Sequence, residues 1–95
     1  MKRVVQKFNA RGLTPVVAVE LEFYLLDKTL TPDGRPQTSI NPSTGERNTT
    51  TQVYYMEDLN DYQKFTDAVS DACVAQRIPA DTAVAEYAPG QFEVN

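Results

Sequence analysis

The 95-residue sequence contains no histidine and a single cysteine, Cys73. One cysteine cannot form an internal disulfide, and the lack of histidine argues against a zinc site. The same absence excludes Ser-His and Cys-His nucleophilic machinery within this chain. Any chemistry carried by these residues must therefore rest on carboxylates, hydroxyls, amides or Lys and Arg side chains.

Positive charge and long apolar runs are also scarce. Nine Lys and Arg face 13 Asp and Glu, and the net charge of -4 argues against nucleic-acid binding, as does the lack of a basic cluster interleaved with aromatics. The longest apolar run, residues 15–19, is far shorter than the roughly 20 residues that span a bilayer. Residues 1–3 lead into a polar helix and do not resemble a signal peptide. We expect one small cytoplasmic domain with no membrane partner.

The first half of the chain predicts a helix, a strand and a long loop. Residues 2–11 have helical spacing of apolar side chains and end at Gly12, so we expect a short helix that packs on a sheet. Residues 16–26 are rich in branched and aromatic types that favour a strand. Residues 27–52 are rich in Thr, Pro, Asn, Gly and Ser and predict a long loop or a ragged hairpin.

Two glutamates, Glu20 and Glu22, interrupt the apolar pattern of the predicted strand. Alternation assigns one face to the core, made of Val17, Val19, Leu21, Phe23 and Leu25. The other face holds both acids, with backbones about 6.5–7 Å apart. Ionised carboxylates in apolar surroundings need a cation or hydrogen-bond donors, so the pair indicates a metal site. A solvated outer face with two surface acids is the alternative.

The second half predicts one helix followed by two strands. The helix covers residues 59–76, with Asp58 as its N-cap and an apolar stripe facing the sheet, in which Cys73 is a small buried residue. The strands begin near Thr82 and turn at Pro89-Gly90, as in a type II turn. The order is helix, strand, loop, helix, strand and strand, which predicts an α+β fold with a mainly antiparallel sheet. The last strand reaches the final residue, so we expect the chain to stop in mid-sheet.

Two further acids, Glu86 and Glu93, lie on the two arms of this C-terminal strand pair. Together with Glu20 and Glu22 they form an all-oxygen ligand set, which suits Mg²⁺ or Mn²⁺. Such ions most often work with phosphates, so an ATP-dependent reaction is the natural inference.

Two segments resemble the glutamine synthetase family. Residues 19–25, VELEFYL, are similar to its Glu-x-Glu-Phe strand, and residues 86–93, EYAPGQFE, resemble its Glu-x-x-Pro-Gly-Gln-x-Glu motif. Both occur in the family's order, separated by a loop and an amphipathic helix. The resemblance implies that residues 1–95 are the N-terminal portion of a glutamine synthetase-type catalytic domain. The preceding β-grasp-like domain and the rest of the catalytic domain would lie outside this chain.

The resemblance also implies an activity. Enzymes of this family use ATP to convert a glutamate γ-carboxylate to a γ-glutamyl phosphate, which ammonia or an amine then attacks. By position, Glu22, Glu86 and Glu93 would hold one metal ion and Glu20 would contribute to another. Glu22 and Glu86 would also lie near the amino-acid substrate. Gly90 and Gln91 would shape the turn that aims Glu86 and Glu93.

Further expectations follow from the same resemblance. The parent would form a homo-oligomeric ring, and the 95 residues alone would be inactive. No catalytic and no nucleotide-binding residue is assigned within them. The strand around Glu22 and the segment 90–95 are most similar to the γ-glutamylpolyamine (γ-glutamylputrescine) synthetase branch. The alternative is a small stand-alone acidic α+β module that binds Mg²⁺ or Ca²⁺, or a basic partner, through its strand acids.

Overall fold

The computed structural model describes residues 1–80 and 82–95. The element order is helix α1 (Lys2–Asn9), strand β1 (Leu21–Tyr24), helices α2 (Met56–Asp61) and α3 (Gln63–Gln76), and strands β2 (Ala83–Ala85) and β3 (Gln91–Val94). The three strands form one antiparallel sheet in the order β1-β3-β2. The predicted α+β class and antiparallel sheet are therefore confirmed.

The core lies on one face of this sheet, under the α2–α3 corner. Phe92 of the central strand, Ala85 of β2 and Tyr62 between the helices are almost fully buried. The rings of Tyr62 and Phe92 are 5.1 Å apart, and partly buried Phe23 meets Phe65 of α3 at 5.8 Å. Aromatic pairs at these distances stabilise a small core beyond their buried area. Alternation along β3 then points the neighbours of Phe92 to the opposite face.

Strand β1 is much shorter than the predicted strand over residues 16–26. Phe23 and Leu25 pack toward the core as expected, but Val17, Val19 and Leu21 are 77%, 78% and 64% exposed. The expectation that these three residues are part of the core was wrong, although Leu21 shares the face of Phe23 within β1. The partner strand β3 has only four residues, and a segment of high β propensity needs a neighbour to pair with before it forms a strand.

Helix α1 does not pack on the sheet, contrary to the prediction. It ends at Asn9, and none of its residues is buried. Val4 and Phe8 of its apolar side are 56% and 42% exposed. Within the described ranges, no helix is both long enough and apolar enough to cross a membrane.

The predicted single helix over residues 59–76 is two helices that meet at Tyr62. The backbone of Tyr62 leaves the helical region, with φ -99° and ψ 16°, and its hydroxyl lies 2.8 Å from Ser39 Oγ. Burial of the Tyr62 side chain in the core favours this interruption of the helix. Asp58 is not an N-cap but lies in the first turn of α2, where Tyr55 holds the cap position without a side-chain hydrogen bond. Cys73 is only half-buried.

The loop over residues 27–52 is a ragged hairpin, as one of the two predicted alternatives proposed. Isolated bridges join Leu26 to Thr38 and Ile40 to Arg47. Asn41, 1% exposed, donates from Nδ2 to the Asp61 carboxylate at 2.6 Å. Polar contacts of this kind fasten the loop to α2, so a segment with few apolar residues is nevertheless ordered.

Candidate functional site

Three of the four predicted acids lie on the face of the sheet opposite the core. Glu22 of β1 and Glu93 of β3 are direct partners in the antiparallel register. Val84 of β2 pairs with Glu93 on its other side, and alternation places Glu86 on the same face as Val84. Directly opposed side chains have Cβ atoms about 4.5–5.5 Å apart, and diagonal ones lie within reach of long side chains. The register therefore brings Glu22, Glu86 and Glu93 together.

A tight turn joins β2 to β3 and fixes this register. The Gln91 N–H donates to the Ala88 carbonyl at 3.0 Å, and Gly90 has a φ of +73°, as the third residue of a type II turn requires. The Leu25 N–H donates to the Gly90 carbonyl at 2.7 Å. The turn is thus fastened to the chain that continues from β1, and the predicted Pro89-Gly90 turn is confirmed.

The electrostatics of this face disfavour three ionised carboxylates. The pKa of Glu86 is raised above its ordinary value, first by partial burial, then by the charges of Glu93 and Glu22 and by a hydrogen bond with the Glu93 carboxyl. Each of these causes favours the protonated form. A bound cation would reverse the effect of the two neighbouring charges.

No positive side chain supplies that charge within residues 1–80 and 82–95. The ion pairs there are Arg35 with Asp33 and Arg47 with Asp27, both in the loop. Oxygen ligands of this type suit Mg²⁺ or Mn²⁺, so the donor chemistry fits a hard divalent cation. In the same ranges, however, no three or more acidic or sulfur side chains converge into a group that could hold an ion. The carboxylates share a face without forming a closed coordination shell.

Glu20 stands apart from the other three acids. It lies one residue before β1, is exposed, and forms no hydrogen bond or ion pair with another described residue. Because β1 begins only at Leu21, the extended pairing that would align Glu20 beside Glu22 is not formed there. Its contribution to a second metal ion stays a prediction.

Gln91 has a contact with Glu22 that the sequence analysis did not predict. Its side chain donates from Nε2 to Glu22 Oε1, and its Oε1 accepts the Ala88 N–H at 2.9 Å. The available signal was its position two residues before Glu93, because period two places both on one face.

A cleft lies on the other face of the sheet. It has a volume of about 230 Å³, is lined in part by Phe23, Phe65 and Phe92, and contains none of the four candidate acids. The cleft and the three acids Glu22, Glu86 and Glu93 therefore lie on opposite faces of the same sheet.

Comparison with known proteins gives two matches. The family model described as glutamine synthetase, catalytic domain, matches residues 1–95. Gamma-glutamylputrescine synthetase PuuA of Escherichia coli (strain K12) is 47% identical over 95 residues, which are 100% of this chain and 20% of that protein. The chain thus spans about a fifth of the length of this curated relative. No solved structure shows a significant match.

Proposed function

The chain belongs to the glutamine synthetase catalytic-domain family, and from this premise we propose that it is part of an ATP-dependent γ-glutamyl ligase. The parent enzyme would join an amine to the γ-carboxylate of glutamate through a γ-glutamyl phosphate. The name of the relative, a gamma-glutamylputrescine synthetase, supports putrescine or a similar polyamine as the amine. Ammonia is the other candidate, since it serves the family's glutamine-forming members.

The observation that carries the proposal is the three-carboxylate face without a positive partner among the described residues. Glu22, Glu86 and Glu93 would hold one Mg²⁺ or Mn²⁺, and Glu20 would contribute to another. Such a cation, when bound, supplies charge neutralisation and orientation for a phosphoryl group in transfer. Residues outside this chain would complete the coordination shell.

The same acids have a second proposed role toward the substrate. An ionised carboxylate accepts strong, charge-assisted hydrogen bonds from an ammonium group. Glu22 and Glu86 lie at the two sides of the sheet face, so each can orient the α-ammonium group of glutamate beside the metal. Partial burial and the charges of Glu93 and Glu22 raise the pKa of Glu86, and a cation beside it would act in the opposite direction and favour the ionised carboxylate.

Three further predictions complete the proposal. The 95 residues should not catalyse ligation alone, because they correspond to 20% of the relative. The parent should assemble as a homo-oligomeric ring. A cytoplasmic location remains a prediction.

The direct test uses the full-length parent protein. Phosphate release with ATP and glutamate should depend on an added amine, and a panel of ammonia, putrescine and other amines identifies the acceptor. Glu22→Gln, Glu86→Gln and Glu93→Gln should each lower kcat at least about 10-fold, the loss typical of disturbed metal sites. Glu46→Gln, which changes an exposed loop acid, is the matched control and should not. Activity that survives all three substitutions would contradict the proposal.

A second test uses the 95-residue chain. ATP- and glutamate-dependent phosphate release by this chain alone would contradict the predicted inactivity. The stand-alone acidic module is distinguished by the parent assay, because it predicts no amine-dependent phosphate release at any length of chain.

A further inference from the structure

Gln91 links the three strands at the edge of the carboxylate face. Its backbone carbonyl accepts the Glu86 N–H at 2.8 Å from the β2 side. Its side-chain Nε2 donates to Glu22 Oε1 on β1, and its Oε1 accepts the Ala88 N–H of the turn. One residue therefore contacts β1, the residue that directly follows β2, and the turn between β2 and β3.

The orientation of the Gln91 amide is fixed by its two partners. A backbone N–H can only donate, and an ionised carboxylate can only accept. The Ala88 N–H therefore requires the amide oxygen on its side, which leaves the amide nitrogen facing Glu22. A flipped amide would place oxygen against oxygen at one end and N–H against N–H at the other.

The Gln91 amide that donates to Glu22 is neutral, which is important for a site that binds cations. A Lys or Arg at this position would orient Glu22 equally well, but its charge would repel a divalent ion and weaken the negative potential of the face. An amide occupies Oε1 without adding charge. The second oxygen, Oε2, stays available to a ligand.

We infer that Gln91 is a positioning residue that holds the Glu22 carboxylate in the orientation from which it binds the divalent cation. This inference rests on the proposed metal role of Glu22. The carboxylate would otherwise rotate on an exposed four-residue strand and would lose rotamer freedom only when the ion binds. Prior orientation by hydrogen bonding removes that part of the binding cost.

The test is Mn²⁺ binding by the full-length parent protein and by its variant Gln91→Met, which keeps the length of the side chain but has no amide. Isothermal titration should show that Gln91→Met binds Mn²⁺ roughly 10- to 100-fold more weakly, as when a hydrogen-bond partner of a metal ligand is removed. Gln37→Met is the matched control. It removes a glutamine amide that donates to the Thr29 carbonyl in the loop, and its Mn²⁺ affinity should equal that of the wild type.

A double-mutant cycle separates positioning from general stability. If Gln91 acts through Glu22, Gln91→Met should have no further effect on Mn²⁺ affinity in a Glu22→Gln background. A loss of equal size in both backgrounds, or unchanged affinity in Gln91→Met, would overturn the inference while the metal site stands. A wild-type parent protein that binds no Mn²⁺ would overturn the metal site and the inference together.

A measurement on the wild-type chain covers the case in which Gln91→Met does not fold. In the ¹⁵N-labelled chain, one side-chain amide proton of Gln91 should exchange slowly with water, because it is donated to Glu22 Oε1. Amide protons of Gln91 that exchange as fast as those of an exposed glutamine would overturn the inference.

Discussion

Replacing Gly90 by alanine tests whether the turn between β2 and β3 depends on a close approach to the chain after β1. Gly90 has a φ of +73°, and a Cβ built there would lie 2.9 Å from the Leu25 carbonyl oxygen and 3.3 Å from Ser39 Oγ. The Leu25 oxygen cannot move away freely, because it accepts the Ser39 N–H at 3.1 Å and the Leu25 N–H is bonded to the Gly90 carbonyl. The substitution therefore meets backbone that hydrogen bonds hold in place.

Two costs add in this variant. A left-handed backbone costs a residue with a Cβ about 1–2 kcal/mol, and forcing extra volume against fixed atoms costs about 1–3 kcal/mol. We expect Gly90→Ala to lower the free energy of unfolding by about 3 kcal/mol. A 95-residue chain has about 5–14 kcal/mol in total at the usual stability per residue. The loss would thus be a large part of the stability.

Gly45→Ala is the matched control, because Gly45 has nearly the same φ, +72°, with no atom within 4 Å of a built Cβ. The conformational cost and the effect of alanine on the unfolded chain are shared by both variants and cancel in the comparison. Urea unfolding followed by circular dichroism should show Gly90→Ala less stable than Gly45→Ala by about 1–3 kcal/mol. Variants equal within about 0.5 kcal/mol would refute the close approach.

Other predictions concern the loop and the core. The pKa of Asp27 is lowered from 3.8 to about 2 by the Thr29 N–H and by Arg47. The ionised Asp27 therefore stabilises the fold above pH 3.8, and this stabilisation is lost as the pH falls through about 2. Urea titrations at several pH values should show that Asp27→Asn lacks this acid dependence, and an unchanged dependence would contradict the prediction. Asn41→Ala removes the acceptor of the Ser43 N–H and the donor to the Asp61 carboxylate, and should cost about 1–3 kcal/mol in urea unfolding. A loss below about 0.5 kcal/mol would count against the network. Phe92→Ala should cost about 3–5 kcal/mol in the same assay. Its control, Val17→Ala at a 77% exposed position, should change stability by less than about 0.5 kcal/mol.

The parts of the fold that the sequence predicted are those set by local signals. Pro89-Gly90 specified the turn between β2 and β3. The strand at residues 16–26 was overextended because β propensity does not report how long the partner is, and β3 supplies only four residues. The break at Tyr62 had no local signal either, since it depends on contacts with Ser39 and Phe92.

The site was predictable to a similar extent. Motif spacing identified Glu22, Glu86 and Glu93, but their shared face depends on the register of three strands, which spacing along the chain does not contain. The prediction for Glu20 required a longer β1 and is untested. The hydrogen bond from Gln91 to Glu22 joins residues 69 positions apart, so it could be identified only from the register of the folded strands.

The two faces of this sheet are coupled through the turn at Gly90. A slip of β3 by one residue would exchange its faces, moving Phe92 to the side of the acids and Glu93 into the core. Repulsion among Glu22, Glu86 and Glu93 favours such disorder of the hairpin, whereas burial of Phe92 against Tyr62 opposes it. The turn hydrogen bonds and the contact between Gly90 and Leu25 admit one register only. Core packing and turn geometry therefore hold three like charges together before any cation binds, and substitutions at Gly90 should weaken Mn²⁺ binding even though Gly90 has no side chain to offer the ion.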